Sequence, residues 1–348
     1  MATQLSRRVQ VGLDAARALA AIYVVLHHVA EKNQIENTFG VLVMFGQQAV
    51  VVFFLLSGFV IFANERQRAL QPSGYYVRRL RRIYPMLIAT LALSTILCLE
   101  DGTFRDKFSL AELFGTLAAL QDLSKSKPGV IVDPFLGNGP LWSLSYEITF
   151  YLAFPWVLRL WARTPRRANH LIGATCCVLT VVYILAPNHF ALVGAYFLSW
   201  WCGAMAADAY LNGQRRVRAL AVPLGWLLAQ CAIAAVAFGQ FDFVSVNAFP
   251  CLLLQHFISA ALLLVIFFGP AGEGFVELAA LTPALWRFLA SISFAIYLFH
   301  YPLLITWRAA GTVSGQIGAA LLLVAVAIAV ERFALPLIPT RPSRSRLA

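Results

Sequence analysis

Charge is scarce in this chain. Asp, Glu, Lys and Arg make up 12% of its 348 residues, about half the share of an ordinary soluble domain. Acids are scarcer still: 16 against 27 Lys and Arg, for a formal net charge of +11. That poverty excludes a solvated globular enzyme. The positive balance does not indicate nucleic acid, because the basic residues collect between apolar runs. Six cysteines (Cys98, Cys176, Cys177, Cys202, Cys231, Cys251) form no CxxC pair and no spaced framework. No disulfide scaffold and no metal site are therefore expected, and the thiols read as small buried apolar groups. No long polar linker divides the chain, so one integral domain is expected over 10–338, between short basic tails at 1–9 and 339–348. No internal repeat is visible, which speaks against a transporter built from duplicated halves.

What is present is a series of apolar runs of about 18 residues or more, the length that crosses a bilayer. Ten spans are predicted, at 12–30, 40–63, 82–99, 141–160, 168–186, 190–209, 219–239, 248–269, 288–307 and 314–335. The fold class is all-α: a polytopic integral membrane protein with both termini cytoplasmic. Asp14 and Arg17 interrupt the first run, which reads as an uncleaved helix rather than a signal peptide. With the N-terminus inside, 20 of the 27 basic residues fall inside, six fall outside, and Arg17 lies within a span. This is the positive-inside bias. The loop near 270–287 fits least well, with Glu273 and Glu277 against one arginine. In the long outer loop 100–140, Ser109 and Glu112 form a capping box, followed by apolar residues at helical spacing. An amphipathic surface helix is predicted there, tied to lipid or serving as a lid over an acceptor site.

Ionisable groups inside a membrane cost at least about 2.5–3.5 kcal/mol each, so those present require a reason. Arg17 and His28 stand 11 residues apart in the first span, about 20° apart around the helix and roughly 16 Å along it. They predict one polar stripe, with Asp14 available to pair with Arg17. His27 points elsewhere and reads as a packing residue. Ser57 and Gly58 allow close helix approach in the second span. "YYVRRLRRIYP" sets four arginines before the third span, suited to lipid phosphates or to a phosphorylated ligand, and Pro85 is expected to end a helical turn and redirect the chain. Glu147 and His300 lie towards the same membrane face as His28, which suggests a shared cavity.

Together these stretches resemble the membrane acyltransferase 3 family. Arg17 with His28 matches its arginine, ten residues, histidine motif. Phe53, Phe54, Ser57 and Gly58 match FFxxSG, and Arg79, Arg82, Ile83 and Pro85 match the arginine-rich segment. Trp142, Ser143, Leu144, Glu147, Tyr151 and Pro155 match WSLxxExxFYxxxP. Ser293, Ile296, Tyr297, Leu298, His300 and Pro302 match SYxIYLxHxP, with Phe294 in place of the usual Tyr. The resemblance implies ten helices in the bacterial cytoplasmic (inner) membrane. It implies acyl-CoA as donor, acetyl-CoA first among them, and a hydroxyl of a surface glycan or glycolipid as acceptor. It also implies an essential His28 and a functional Arg17. Some members carry a C-terminal hydrolase-like domain, which is not expected here.

The combined expectation is His28 as general base or acyl carrier, with Glu147 as its orienting partner or as acceptor binder. His300 is a second acid–base candidate. Arg17, Arg79 and Arg82 hold the donor's phosphates, with Ser57 beside them. The conduit joining Arg17 to His28 is expected to be continuous. A transporter or flippase for a lipid-linked sugar, and a non-catalytic sensor, are the alternatives.

Overall fold

The computed structural model describes residues 5–35, 37–240 and 247–334; the ends of both expected tails, 1–4 and 339–348, lie outside them. The described chain is helical, and its one β-type pairing is an isolated bridge between Gln121 and Val132. Ten long helices stand where spans were predicted: α1 (Arg7–Lys32), α2 (Gly46–Glu65), α3 (Pro72–Glu100), α5 (Trp142–Arg163), α6 (Pro165–Leu185), α7 (His189–Leu211), α8 (Ala221–Phe238), α9 (Cys251–Phe267), α11 (Pro283–His300) and α12 (Val313–Ala329). Shorter helices intervene, among them α4 (Leu110–Leu117) and α10 (Pro270–Ala279). Among the described residues, eight helical segments are long and apolar enough to cross a membrane, or nine if the bent pair α9–α10 is one span. The α5 helix is the polar exception, carrying Glu147, Arg159 and Arg163 among serines and tyrosines.

Side-chain contacts sort the helix ends into two faces, as alternating spans require. On the basic face, Ser6 Oγ meets Tyr210 Oη at 3.1 Å, Arg78 reaches Glu65 at 2.6 Å and Arg82 reaches Glu331 at 2.8 Å. On the opposite face, Lys32 Nζ donates to the carbonyls of Leu304 and Ala310 at 2.7 and 2.9 Å, and Trp307 Nε1 donates to Glu100 at 2.9 Å.

At the centre, α2 crosses the deeply buried α7 through two reciprocal glycines. A Cβ at Gly58 would fall 1.9 Å from the Trp200 carbonyl oxygen, and one at Gly203 would fall 2.1 Å from that of Leu55. The close approach expected of Ser57–Gly58 is therefore real, and it brings Ser57 against Trp200.

Three expectations are corrected. Pro85 does not redirect the chain: α3 runs through it and starts about ten residues early, so the arginine segment is itself helical. Its neighbours Ile83, Met86 and Leu87 are fully buried, and packing on both sides of the proline outweighs one lost backbone hydrogen bond. The segment 270–287 is mostly helix, because Pro270 starts α10 after a 73° bend and Val276 packs on Gly12 of α1. The loop 100–140 contains the predicted amphipathic helix, capped when Ser109 Oγ accepts from Glu112 N at 3.3 Å. Its second half instead burrows into the protein, where Lys127, counted as an outer loop charge, is 3% exposed. The six cysteines are free, as expected.

Candidate active site

A cavity of about 430 Å³ lies among α1, α2, α3, α5 and α11, and Arg17, Ser57, Arg79, Arg82 and Glu147 all line it. Five of the seven expected site residues thus converge from four helices. Helical spacing explains the convergence. Glu147 and Tyr151 are one turn apart on α5, and Arg78, Arg79 and Arg82 share the cavity side of α3.

Each side chain is held differently. The Tyr151 hydroxyl donates to Glu147 Oε1, which also accepts from Ser57 Oγ at 3.3 Å. Ser57 Oγ lies 3.2 Å from Tyr151 Oη and accepts from Trp200 Nε1 at 3.1 Å. Ser57 is therefore the hub of a hydroxyl–carboxylate cluster. Glu65, almost fully buried, accepts from both Arg78 and Arg79, at 2.6 and 3.0 Å. Arg79 also lies over the Tyr151 ring, 5.9 Å from its centre. Arg82 pairs with Glu331 and covers the Phe294 ring at 5.3 Å. The aromatic face survives the Tyr-to-Phe departure at 294, and that face is what Arg82 uses. Arg17 differs from them all. It is half-buried and lines the cavity, where its charge acts on Asp14 and Glu147, but it makes no hydrogen bond or salt bridge within 4 Å among the described residues. The expected Asp14–Arg17 pair does not form, because the guanidinium turns into the cavity instead.

His28 and His300 come together outside that cavity. Their rings stack 5.4 Å apart, and Tyr301 stands edge-on to His28 at 5.3 Å. His300 is fully buried. Its Nδ1 lies 2.7 Å from the Tyr297 carbonyl oxygen, so that nitrogen carries the proton and Nε2 holds the lone pair. Nε2 has no partner. Beyond it the chain enters a π-helical turn over Tyr301–Thr306, because Pro302 has no N–H to continue the ladder. The Leu298 carbonyl is met instead by Asn138 Nδ2 at 3.5 Å.

The expected continuous conduit is interrupted. Tyr297 lines the cavity and its ring lies 6.1 Å from that of His300. Its hydroxyl is fixed by Ser143 Oγ and the Pro140 carbonyl, both at 2.9 Å, and Phe53 stands 5.4 Å from it. One aromatic layer separates the arginine-lined cavity from the histidine pair. Glu147 is on the cavity side and does not touch His28. The carboxylate beside His28 is Glu31, with Oε2 at 3.4 Å from Nδ1. That partner was legible as a three-residue helical spacing but was not singled out. Glu65 and Trp200 were missed for lack of any local signal, whereas Tyr151 was named only as part of a motif, and its contact with Glu147 follows from their four-residue spacing.

Comparisons with known proteins bear on the family. The acyltransferase domain family known as acyltransferase 3 matches over residues 10–332. Nodulation protein 10 of Rhizobium leguminosarum bv. viciae is 28% identical over 238 residues, 62% of this chain and 64% of that protein. Acyltransferase MdmB of Streptomyces mycarofaciens is 31% identical over 178 residues, 48% of this chain and 45% of that protein. A Staphylococcus aureus protein with O-acetyltransferase in its name is 26% identical over 155 residues, 42% of this chain and 24% of that protein. The chain thus spans less than two thirds of each of these relatives. No solved structure matches it. With a membrane-type helical fold, five motif residues around one cavity and a family match over nearly its whole length, the chain belongs to the acyltransferase 3 family.

Proposed function

We propose that this protein transfers an acyl group, acetyl first among them, from acyl-CoA to a hydroxyl of a sugar in a surface or secreted glycan or glycolipid. It acts as a multi-pass enzyme of the bacterial inner membrane. Both termini face the cytoplasm, so the basic face meets the donor. Arg17 carries the reading: a guanidinium with no hydrogen bond among the described residues, facing a cavity beside Arg79 and Arg82, suits the phosphates of coenzyme A. Glu147 fixes the Ser57 and Tyr151 hydroxyls, which then face the amide-bearing arm of the donor. The thioester end points at Tyr297, next to the histidine pair.

With Phe53 and Tyr297 swung aside so that the cavity meets the histidine pair, His28 takes the proton of the acceptor hydroxyl. The oxygen attacks the thioester carbonyl, the C–S bond breaks, and the coenzyme A thiolate takes up the proton that His28 releases. Glu31 pairs with the imidazolium formed on the way. The unpartnered Nε2 of His300 is a second proton acceptor beside it. The family match favours this chemistry over permeation of a lipid-linked sugar, which would need no donor.

The test uses purified protein. Acetyl-CoA should raise its thermal stability, and free CoA should appear when acceptor glycan is added. Arg17→Met should remove most of the donor-dependent stabilisation and raise the KM for acetyl-CoA by about tenfold or more, the worth of one charge-assisted contact. Stabilisation by acetyl-CoA that Arg17→Met leaves intact would reject the donor site.

The aromatic layer predicts selectivity. Phe53 and Tyr297 close the deep end of the cavity, so Phe53→Ala should admit longer chains. The butyryl-to-acetyl ratio of kcat/KM is expected to rise about tenfold, because added methylenes in a pocket change selectivity by about 1–3 kcal/mol. A ratio unmoved in a chain-length series would show that Phe53 does not face the acyl group.

A further inference from the structure

Beyond the aromatic layer, one turn of α1 gathers three side chains that acyl transfer does not need as a group. His27, His28 and Glu31 each offer one ligating atom, all within 4.8 Å of one another. Glu31 Oε2 lies 3.4 Å from His28 Nδ1 and 3.9 Å from His27 Nε2. Donors held about 2.0–2.2 Å from a tetrahedral ion sit roughly 3.5 Å apart. Small rotamer adjustments therefore close the cluster.

The donors are also oriented. His27 Nδ1 lies 2.9 Å from the Val43 carbonyl oxygen, so it carries the proton and leaves the lone pair on Nε2, the nitrogen that faces Glu31. A carbonyl-anchored imidazole is the usual outer support of a metal ligand. Gly46 makes room for that ring, since a Cβ there would fall 2.1 Å from it. His28 is held by the rings of His300 and Tyr301. The Glu31 side chain is 69% exposed, so an ion can enter from solvent. The Lys125 ammonium also acts on Glu31 and opposes the incoming charge.

We propose that His27, His28 and Glu31 form a binding site for a divalent transition-metal ion of the zinc type, with the fourth position left to water. Two imidazoles and one carboxylate suit zinc, whereas magnesium and calcium take oxygen donors. One consequence rests on the acyl-transfer reading above. An ion on His28 Nδ1 displaces that proton, so the neutral ring keeps its proton on Nε2 and has no lone pair to receive another. Zinc is then an inhibitor that occupies the base.

The experiment is calorimetric titration of detergent-purified full-length protein with zinc chloride. One ion per chain is expected, with no magnesium binding under the same conditions. Affinity should fall at least tenfold in His27→Gln and in Glu31→Gln; the exposed Glu31 variant decides the matter if the His27 variant misfolds. Zinc should slow acyl transfer by the wild type but not by His27→Gln, whose zinc-free turnover matches the wild type. Absence of zinc binding, or equal affinity in the wild type and Glu31→Gln, overturns the site. The titration reads no turnover, so a zinc-binding protein without acyl transfer overturns the function and leaves the site standing.

Discussion

Replacing His28 by alanine is expected to lower kcat for acyl transfer by a factor of about 10²–10⁴, the usual weight of a positioned general base. The KM for acyl-CoA should move little, because His28 is not part of the arginine-lined cavity. This split between kcat and KM is the opposite of the one expected for Arg17→Met. His300→Ala should fall between, since it removes the stacked neighbour of His28 together with the unpartnered Nε2. Steady-state kinetics with labelled acetyl-CoA and acceptor glycan measures all three. Donor alone separates the two routes: a covalent acyl-histidine gives a burst of free CoA without acceptor, lost in His28→Ala, whereas direct attack gives no burst in either protein. A His28→Ala protein with normal turnover overturns both routes.

The spans were legible because bilayer thickness imposes a length, and length survives in a one-dimensional reading. The capping box at Ser109 was legible for a similar reason, since its partners lie three residues apart. Site residues were legible where a membrane made them conspicuous: Arg17, Glu147 and the arginines of α3 needed an explanation wherever they pointed. What failed depended on packing between helices. Asp14 was a local partner for Arg17, but an adjacent cavity lined by α1 and α3 drew the guanidinium away. Glu147 was read as orienting His28 or binding the acceptor, because both lie towards the same membrane face in the sequence. Tyr297 and Phe53 separate them, and only the rotation of α11 against α2 decides that. Pro85 broke a local rule because Met86 and Leu87 are anchored in the core.

The largest effect on stability is expected from Lys127, which no motif marked. Its ammonium is 3% exposed, lies 2.8 Å from the fully buried Asp122, and stands 3.4 Å from the centre of the Trp142 ring. The Tyr146 hydroxyl donates to the other oxygen of Asp122 at 2.6 Å. Trp142 and Tyr146 form the first turn of α5, directly before Glu147, so this buried pair ties the long loop to the helix that carries the site. Lys127→Met leaves Asp122 charged and buried without its counter-ion, which should cost about 3–5 kcal/mol. Asp122→Asn should cost a similar amount for the converse reason. The double variant removes both charges together and should be more stable than either single one, because replacing a whole buried pair is often close to neutral. The four buried cysteines Cys98, Cys176, Cys177 and Cys202 report the outcome, through the temperature at which a thiol-reactive dye gains access to them. Additive losses, with the double variant the least stable of the three, would mean that the two charges are each held by other neighbours. The tie between loop and α5 would then rest on the cation–π contact with Trp142 and on the Tyr146 hydroxyl, not on the ion pair.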